Sequence, residues 1–453
     1  MWLGVVALCL VQFVDVLGVT VVVTALPAML ASLRAPADAA GLISTGYAMF
    51  FGGLLMLGAR LGDRFGHRRI ILAGLMFFAA GALAGATAGS AVVLMAARCL
   101  QGAAAAISVP SALRLLTTIT AEGSQRRNAV AMWSAAGAAA GASGFVVGGV
   151  VTDLLGWRVV FWAYLPLAAA LTVAIARAVP PDRDADRSVR LSLASSAAFT
   201  VAVMAFVVAT TLLPERGRAM PGAVLLAASV VLAGLFVSVD RRSAAPLLPR
   251  ALLRERSLRQ GALGGFLNTL TTSSAFTLAT LYLQNTLGRT PLVTALMLLP
   301  FSLAVIAGSA LAAPALGRRP PQHVIAAGLA VIAVSGAALI AAARSPWALP
   351  VCAAVSGADI GLSSVAATSL GTSVATAARG TASGIINTAA QLGTALGIAI
   401  VLFAAAATTG IPQSHTPVPV AGWGLAAAIS LAGAAIFGLW GRRVAVRATR
   451  RRS

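Results

Sequence analysis

Three ionisable side chains stand inside long apolar runs: Asp15 in "FVDVLGVTVVVTALP" (13–27), Arg98 in "RCLQGAAAA" (98–106) and Asp359 in "SGADIGLSS" (356–364). A carboxylate can take up and release a proton, and a guanidinium can hold an anion or tune a neighbouring acid. In hydrocarbon each costs at least ~2.5–3.5 kcal/mol on insertion scales, so each is expected to face an interior and to have a partner. At 1.5 Å per residue, Asp15 lies about 20 Å from the edge where its run begins, and Arg98, on a run of opposite direction, roughly 18 Å from that same edge. The matching depths make the two a candidate pair. A static ion pair that only positions helices is the alternative. Asp359 also falls near mid-membrane and has no basic residue in its own run. It is a candidate cation-binding group or second proton site, against a neutral acid bonded to a backbone carbonyl or a hydroxyl.

The elements that hold these residues follow from composition. Hydrophobic residues make up 59% of 453 and charged residues 10%. Stretches of about 20 apolar residues, enough to cross roughly 30 Å of hydrocarbon as helix, recur along the whole chain. Continuous runs argue against a closed barrel, which alternates with period two. The expected fold class is an all-α polytopic membrane protein. Fourteen spans are expected, at about 2–23, 41–58, 70–88, 90–117, 128–152, 158–178, 191–213, 220–238, 260–286, 292–316, 323–343, 347–370, 380–407 and 421–440.

The net charge of +21 comes from arginine. Loops after even-numbered spans, with the C-terminal tail, hold 25 arginines, and loops after odd-numbered spans hold six. Basic loops stay in the cytoplasm, so both termini are expected there. This topology signal accounts for the excess, and no nucleic-acid partner is expected. Residues 1–179 form an expected N-terminal six-helix bundle, 180–259 a linker with two extra spans, 260–441 a C-terminal six-helix bundle, and 442–453 a basic cytoplasmic tail. Two sets of six suggest bundles around a central path, with a site near the midplane. Cys9, Cys99 and Cys352 lie in apolar runs and read as small core residues. The apolar N-terminus has no basic region, so no cleaved leader is expected.

Other polar residues within spans are Gln101, Asn268, Gln284, Asn387 and Gln391. They are candidates for a substrate path, with helix–helix hydrogen bonding as the alternative. Gly137, Gly141, Gly144 and Gly148 recur at spacings of four, three and four, which places one small face along a helix; Gly149 adjoins it. Arg114, near a span end, is expected to snorkel. No phosphate-binding loop, nucleophile–base pair or metal-ligand cluster is present, and His67, His323 and His415 fall in loops. No enzymatic activity, metal or cofactor is expected.

Five stretches carry a family resemblance. "GARLGDRFGHRR" (58–69) resembles the signature loop between spans 2 and 3 of the major facilitator superfamily. "RCLQGAAAA" (98–106) resembles its span 4 signature, and "WRVVFWAYLP" (157–166) its entry to span 6. "LYLQNTLGRTPLVTALMLLP" (281–300) and "GTASGIINTAAQLGTALGIA" (380–399) resemble spans 9–10 and 13 of its fourteen-span drug:proton antiporter branch. The branch carries an acid at the position of Gly18; here the acid is Asp15, one turn earlier. Phe145 in "GFVVGG" (144–149) stands where the branch has proline. "ALGRRPPQ" (315–322), the counterpart of the first loop after span 10, lacks its acid.

The resemblance implies a major facilitator fold of two six-helix bundles plus two inserted helices. It implies proton-coupled export of small amphipathic compounds, such as drugs or antibiotics, by alternating access in the cell membrane. The proton would be the coupling ion, with Asp15 as its carrier, Arg98 as modulator and Asp359 as a further site. Gly58, Gly62, Asp63, Arg64, Gly66, Arg68 and Arg69 would form a conformational latch, its arginines pairing with Asp63 and with anionic headgroups of the bilayer. The expected partners are a small-molecule substrate and the bilayer, and the expected unit is a monomer. The departures at Gly18 and Phe145 leave open a metabolite facilitator without proton coupling; a transport-inactive sensor or scaffold is a third reading.

Overall fold

The computed structural model describes residues 2–36, 39–121, 124–180, 191, 193–213, 217–243, 246–248, 250–342, 348–374, 379–409 and 419–450. The polar linker at 181–190, Arg344, His415 and the end of the basic tail lie outside the described residues. Among those described there is no strand.

Eight long helices come first: α1 (Trp2–Ser32), α2 (Ala39–Phe65), α3 (His67–Ala86), α4 (Ala91–Ile119), α5 (Ser124–Leu155), α6 (Arg158–Ala178), α7 (Leu193–Leu212) and α8 (Ala219–Arg242). A five-residue helix, α9 (Arg250–Arg254), precedes six more: α10 (Arg256–Leu281), α11 (Pro291–Arg318), α12 (Pro321–Ala342), α13 (Ala348–Gly371), α14 (Arg379–Thr409) and α15 (Val420–Arg450). Among the described residues, fourteen helices are thus long enough to span, and thirteen of them pass on apolarity as well; α10 is the exception. Its hydroxyls explain how it can still cross. Thr269, Thr271, Thr272, Ser274, Thr277 and Thr280 each donate to a carbonyl one turn back in the same helix, so each polar group is satisfied within the segment. A π-type turn, Tyr282–Thr286, ends it.

The end of the first expected span is corrected, and the boundary between the third and fourth holds. α1 runs to Ser32 rather than 23 and carries Pro27 inside it. The short break between α3 and α4 is real, because the Ser90 hydroxyl accepts from the Val93 N–H (3.4 Å) and caps α4.

The chain forms two compact units, Met1–Leu247 with Thr290–Ala295, and Leu248–Arg289 with Leu296–Ser453. In the first, α1 packs on α5, α2 on α4, and α3 on α4 and α6. In the second, α10 packs on α14, α12 on α13 and α15, and α13 also against α11 through Gly308, Gly357 and Gly361. α7 and α8 pack together and belong to the first unit, with α7 against α2 where Gly53 meets Thr200. The segment after α8 returns to α2: Leu247 N–H donates to Asp240 (2.6 Å), and Arg60 donates to the Pro246 carbonyl (2.5 Å).

Candidate functional site

Asp15 lies on the buried face of α1, 4% exposed, and Arg98 on α4 is fully buried. The structure brings them into one cluster but not into a direct ion pair, which corrects the expected pairing. Tyr47 of α2 stands between them. Its hydroxyl donates to an Asp15 carboxylate oxygen, and the Arg98 guanidinium lies over its ring, 4.6 Å from the centroid. That geometry is a cation–π contact in a desolvated site. Arg98 also donates to Gln101 Oε1 (3.2 Å), which is why Gln101, one turn on, is fully buried. The guanidinium Nε and its second terminal nitrogen have no hydrogen-bond partner, and neither has the Gln101 amide nitrogen.

Tyr164 of α6 completes the cluster. Its ring packs edge-on against Phe78 of α3, and its buried hydroxyl makes no hydrogen bond. Gly18 faces the same place: a Cβ there would stand 3.6 Å from the Tyr47 ring, 3.8 Å from its hydroxyl and 3.9 Å from the Tyr164 hydroxyl. Positions 15 and 18 therefore address one pair of phenols. A small, mostly apolar pocket lined by Val14, Asp15, Leu75, Phe78, Ala105 and Ser108 among others adjoins the acid within the first unit.

Sequence reasoning missed Tyr47 and Tyr164. The signal was their rarity, since the chain has only three tyrosines and a phenol inside an apolar run needs a partner.

The glycine face of α5 is as expected, and its counterpart is α1. Gly137 faces Gln12, Gly141 faces Val16, Gly144 faces Thr20 and Gly148 faces Thr24 with the Val21 backbone. Thr20 and Thr24 donate across the seam to the carbonyls of Ala140 (3.5 Å) and Phe145 (3.3 Å). Phe145 thus occupies the proline position with its carbonyl bonded to α1. Gly149 stands on another face of α5, against Ala295.

The signature turn differs from the expectation in detail. Gly58 and Gly62 lie within α2, not in the turn, and pack against α4 at Ala106 and Ser111. Gly66 alone makes the turn; its φ of 93° lies in the region that favours glycine. Asp63 pairs with His67 (3.2 Å), not with an arginine, and the other ring nitrogen of His67 lies 3.3 Å from the Ser111 hydroxyl. Proximity explains this: His67 is one turn on from Asp63 and already wedged against α4. Arg68 donates to the Ala176 carbonyl of α6, Arg64 lies over the Phe65 ring (5.5 Å), and Arg69 is exposed. Arg114 is exposed, as a snorkelling residue would be.

In the second unit Asn268 is fully buried and donates to the hydroxyls of Ser363 (2.6 Å) and Ser364 (3.1 Å) on α13. This is the helix–helix role. Asp359, on the same helix, is half-buried and makes no ion pair among the described residues. Gln284 falls in the π-type turn, and Asn387 and Gln391 lie half-buried on α14. No group of His, Cys, Asp and Glu suited to a metal occurs among the described residues.

Residues 8–398 match the model of the Major Facilitator Superfamily. The chain is 32% identical over 430 residues to the puromycin resistance protein pur8 of Streptomyces alboniger, covering 93% of this chain and 85% of that one. It is 32% identical over 414 residues to the multidrug resistance protein Stp of Mycobacterium tuberculosis, covering 90% and 76%. Among solved structures, the human organic anion transporter MFSD10 matches with a TM-score of 0.65 at 17% identity, covering 96% and 99%, a likeness of fold alone.

Proposed function

Since the chain belongs to the Major Facilitator Superfamily, we propose that it exports small amphipathic organic compounds, such as drugs or antibiotics, by proton antiport through alternating access. The observation that carries the coupling is Asp15: a buried acid held by a hydroxyl, next to a fully buried guanidinium with unpartnered N–H groups. A fixed structural ion pair has no reason to leave those donors open, whereas a group that changes charge needs a neighbourhood that serves both states. The names of the relatives, resistance to puromycin and to multiple drugs, support the substrate class.

In this reading the proton is the coupling ion and no cofactor takes part. The protein lies in the cell membrane as a monomer, with both termini and the signature turn in the cytoplasm, and its loop arginines meet anionic headgroups. Asp359 serves as a contact for cationic substrates, and the turn from Gly58 to Arg69 serves as the latch.

The test is transport of ethidium by purified protein in liposomes carrying an imposed pH gradient. Gradient-driven movement is expected. Flux that ignores the gradient would replace antiport with facilitated diffusion, and no flux across a broad compound panel would leave a sensor or scaffold.

A further inference from the structure

We propose that Tyr47 is the positioning residue of the proton site, acting through both of its parts: the hydroxyl holds the ionised form of Asp15, and the ring keeps Arg98 from pairing with it. The inference rests on the reading of Asp15 as the proton carrier.

The geometry bears on both parts. The Tyr47 hydroxyl donates to the carboxylate, and a donated hydrogen bond favours the charged form. Arg98 has N–H groups to spare, yet it lies on the face of the same ring instead of on the acid. Its other support, Gln101, is on its own helix. The Tyr47 side chain joins the two: its ring carries the fully buried cation and its hydroxyl holds the acid that would neutralise it. A direct pair in a site this dry would lock Asp15 in its charged form; an acid locked in that way cannot be a carrier. The ring lets the positive charge act at one remove.

The other groups near Asp15 are few. α4 contributes Arg98, α6 contributes Tyr164, and α3 presents Leu75 and Phe78. The charge balance of the cluster therefore depends on Asp15, Arg98 and the two phenols.

Proton uptake then has a defined course. A proton from water bonds to a carboxylate oxygen of Asp15. The new O–H donates to the Tyr47 oxygen, whose own hydrogen rotates away, so the phenol stays neutral. On release the proton returns to water and Tyr47 donates again. Arg98 keeps its place on the ring throughout.

The two parts of Tyr47 predict opposite effects, which a merely structural residue would not show. In Tyr47→Phe the ring remains and the hydroxyl is lost. In Tyr47→Leu both are lost and Arg98 gains access to Asp15. The readout is infrared titration of the purified protein in lipid, following the C=O stretch of the protonated carboxyl that disappears in Asp15→Asn. The midpoint is expected to rise by about one pH unit in Tyr47→Phe, on the scale of one hydrogen bond to a charged group, and to fall below that of the parent in Tyr47→Leu. Tyr47→Phe preserves volume and folds on the parent's packing, so it decides the hydroxyl's part even where the leucine variant is unstable. An unmoved midpoint in Tyr47→Phe, midpoints moving in the same direction in both variants, or no titrating Asp15 band in the parent would overturn the proposal. Proton-driven ethidium export that survives in Asp15→Asn would instead remove Asp15 as the carrier, the reading on which the proposal rests, and leave the titration result standing.

Discussion

Moving the acid by one turn is the sharpest perturbation that the proton site offers. Asp15→Asn keeps the side-chain shape and an oxygen for the Tyr47 hydroxyl, but cannot carry a proton. With one aromatic ring between them, the charges of Asp15 and Arg98 sit roughly 7 Å apart, and at an effective dielectric of 20 their attraction is about 2 kcal/mol. The single variant should therefore lose proton-driven export and also lose about 2 kcal/mol of stability, because a buried guanidinium is left without its counter-charge. Adding Gly18→Asp should restore both. A Cβ at 18 meets nothing closer than 3.6 Å, so it is accommodated at ordinary contact distance, with the hydroxyls of Tyr47 and Tyr164 within 4 Å of it. The assay is ethidium movement in liposomes under an imposed pH gradient, paired with thermal unfolding of the same preparations. Retained gradient-driven export in Asp15→Asn refutes the role of the acid. A double variant that unfolds like the parent but does not transport refutes the claim that positions 15 and 18 address one site.

The α1–α5 seam makes a graded prediction. Gly144→Ala should cost about 1–3 kcal/mol, since its Cβ would fall on the Thr20 side chain, and Thr20→Ala should recover most of that loss in a double-mutant cycle of thermal stability. Gly148→Ala should resist rescue by Thr24→Ala, because its Cβ also meets the Val21 backbone. Ser90→Ala should lower stability by about 0.5 kcal/mol, the low end for a cap, given the long 3.4 Å bond to Val93. Asp63→Asn should change stability by less than about 0.5 kcal/mol, because the carboxylate of the Asp63–His67 pair is 52% exposed; any larger effect on transport than on unfolding would mark the turn as a moving part. Asp359→Asn should lower export of cationic compounds relative to neutral ones in a substrate panel, and equal treatment of the two classes would remove Asp359 from recognition.

What the sequence made legible was whatever repeats along one helix. The glycine face of α5 could be read because 3.6-residue periodicity fixes which residues share a side, and the number of spans because apolar length is a local property. That Asp15 and Arg98 stand near one another along their helices was legible for the same reason, since rise per residue is a constant and the structure brings both to Tyr47. Their relation was not. Whether two residues at one depth touch depends on helix rotation and on what the intervening helix puts between them, and here α2 puts Tyr47 there. The signature turn failed in a similar way. Gly58 and Gly62 fell within the stretch that resembles the signature loop, but their lack of side chains serves contact with α4. Only the partner helix distinguishes those uses.

A comparison of the two units, each taken by itself, locates the asymmetry on which the functional reading depends. Their seams are built alike. Thr20 donates to Ala140 beside Gly144 in the first, and Thr269 donates to Ala390 (2.6 Å) beside Gly393 in the second; Gly148 and Gly397 follow four residues later, each against backbone. What the seams hold in place is different. The first unit positions an acid, a guanidinium and two phenols in a water-poor cluster. The second positions Asn268 on two serines, hydroxyls that return to their own helix, and the half-buried Asp359. Buried charge is expensive and neutral hydrogen bonds in apolar surroundings are worth ~1 kcal/mol, so a packing scheme needs only the second kind of residue to be stable. The first unit departs from that economy and the second does not. A chain under selection for packing alone has no need of the buried acid and guanidinium in the first unit, so the proposed proton handling is assigned to the helices that hold them, α1 and α4, with the phenols of α2 and α6.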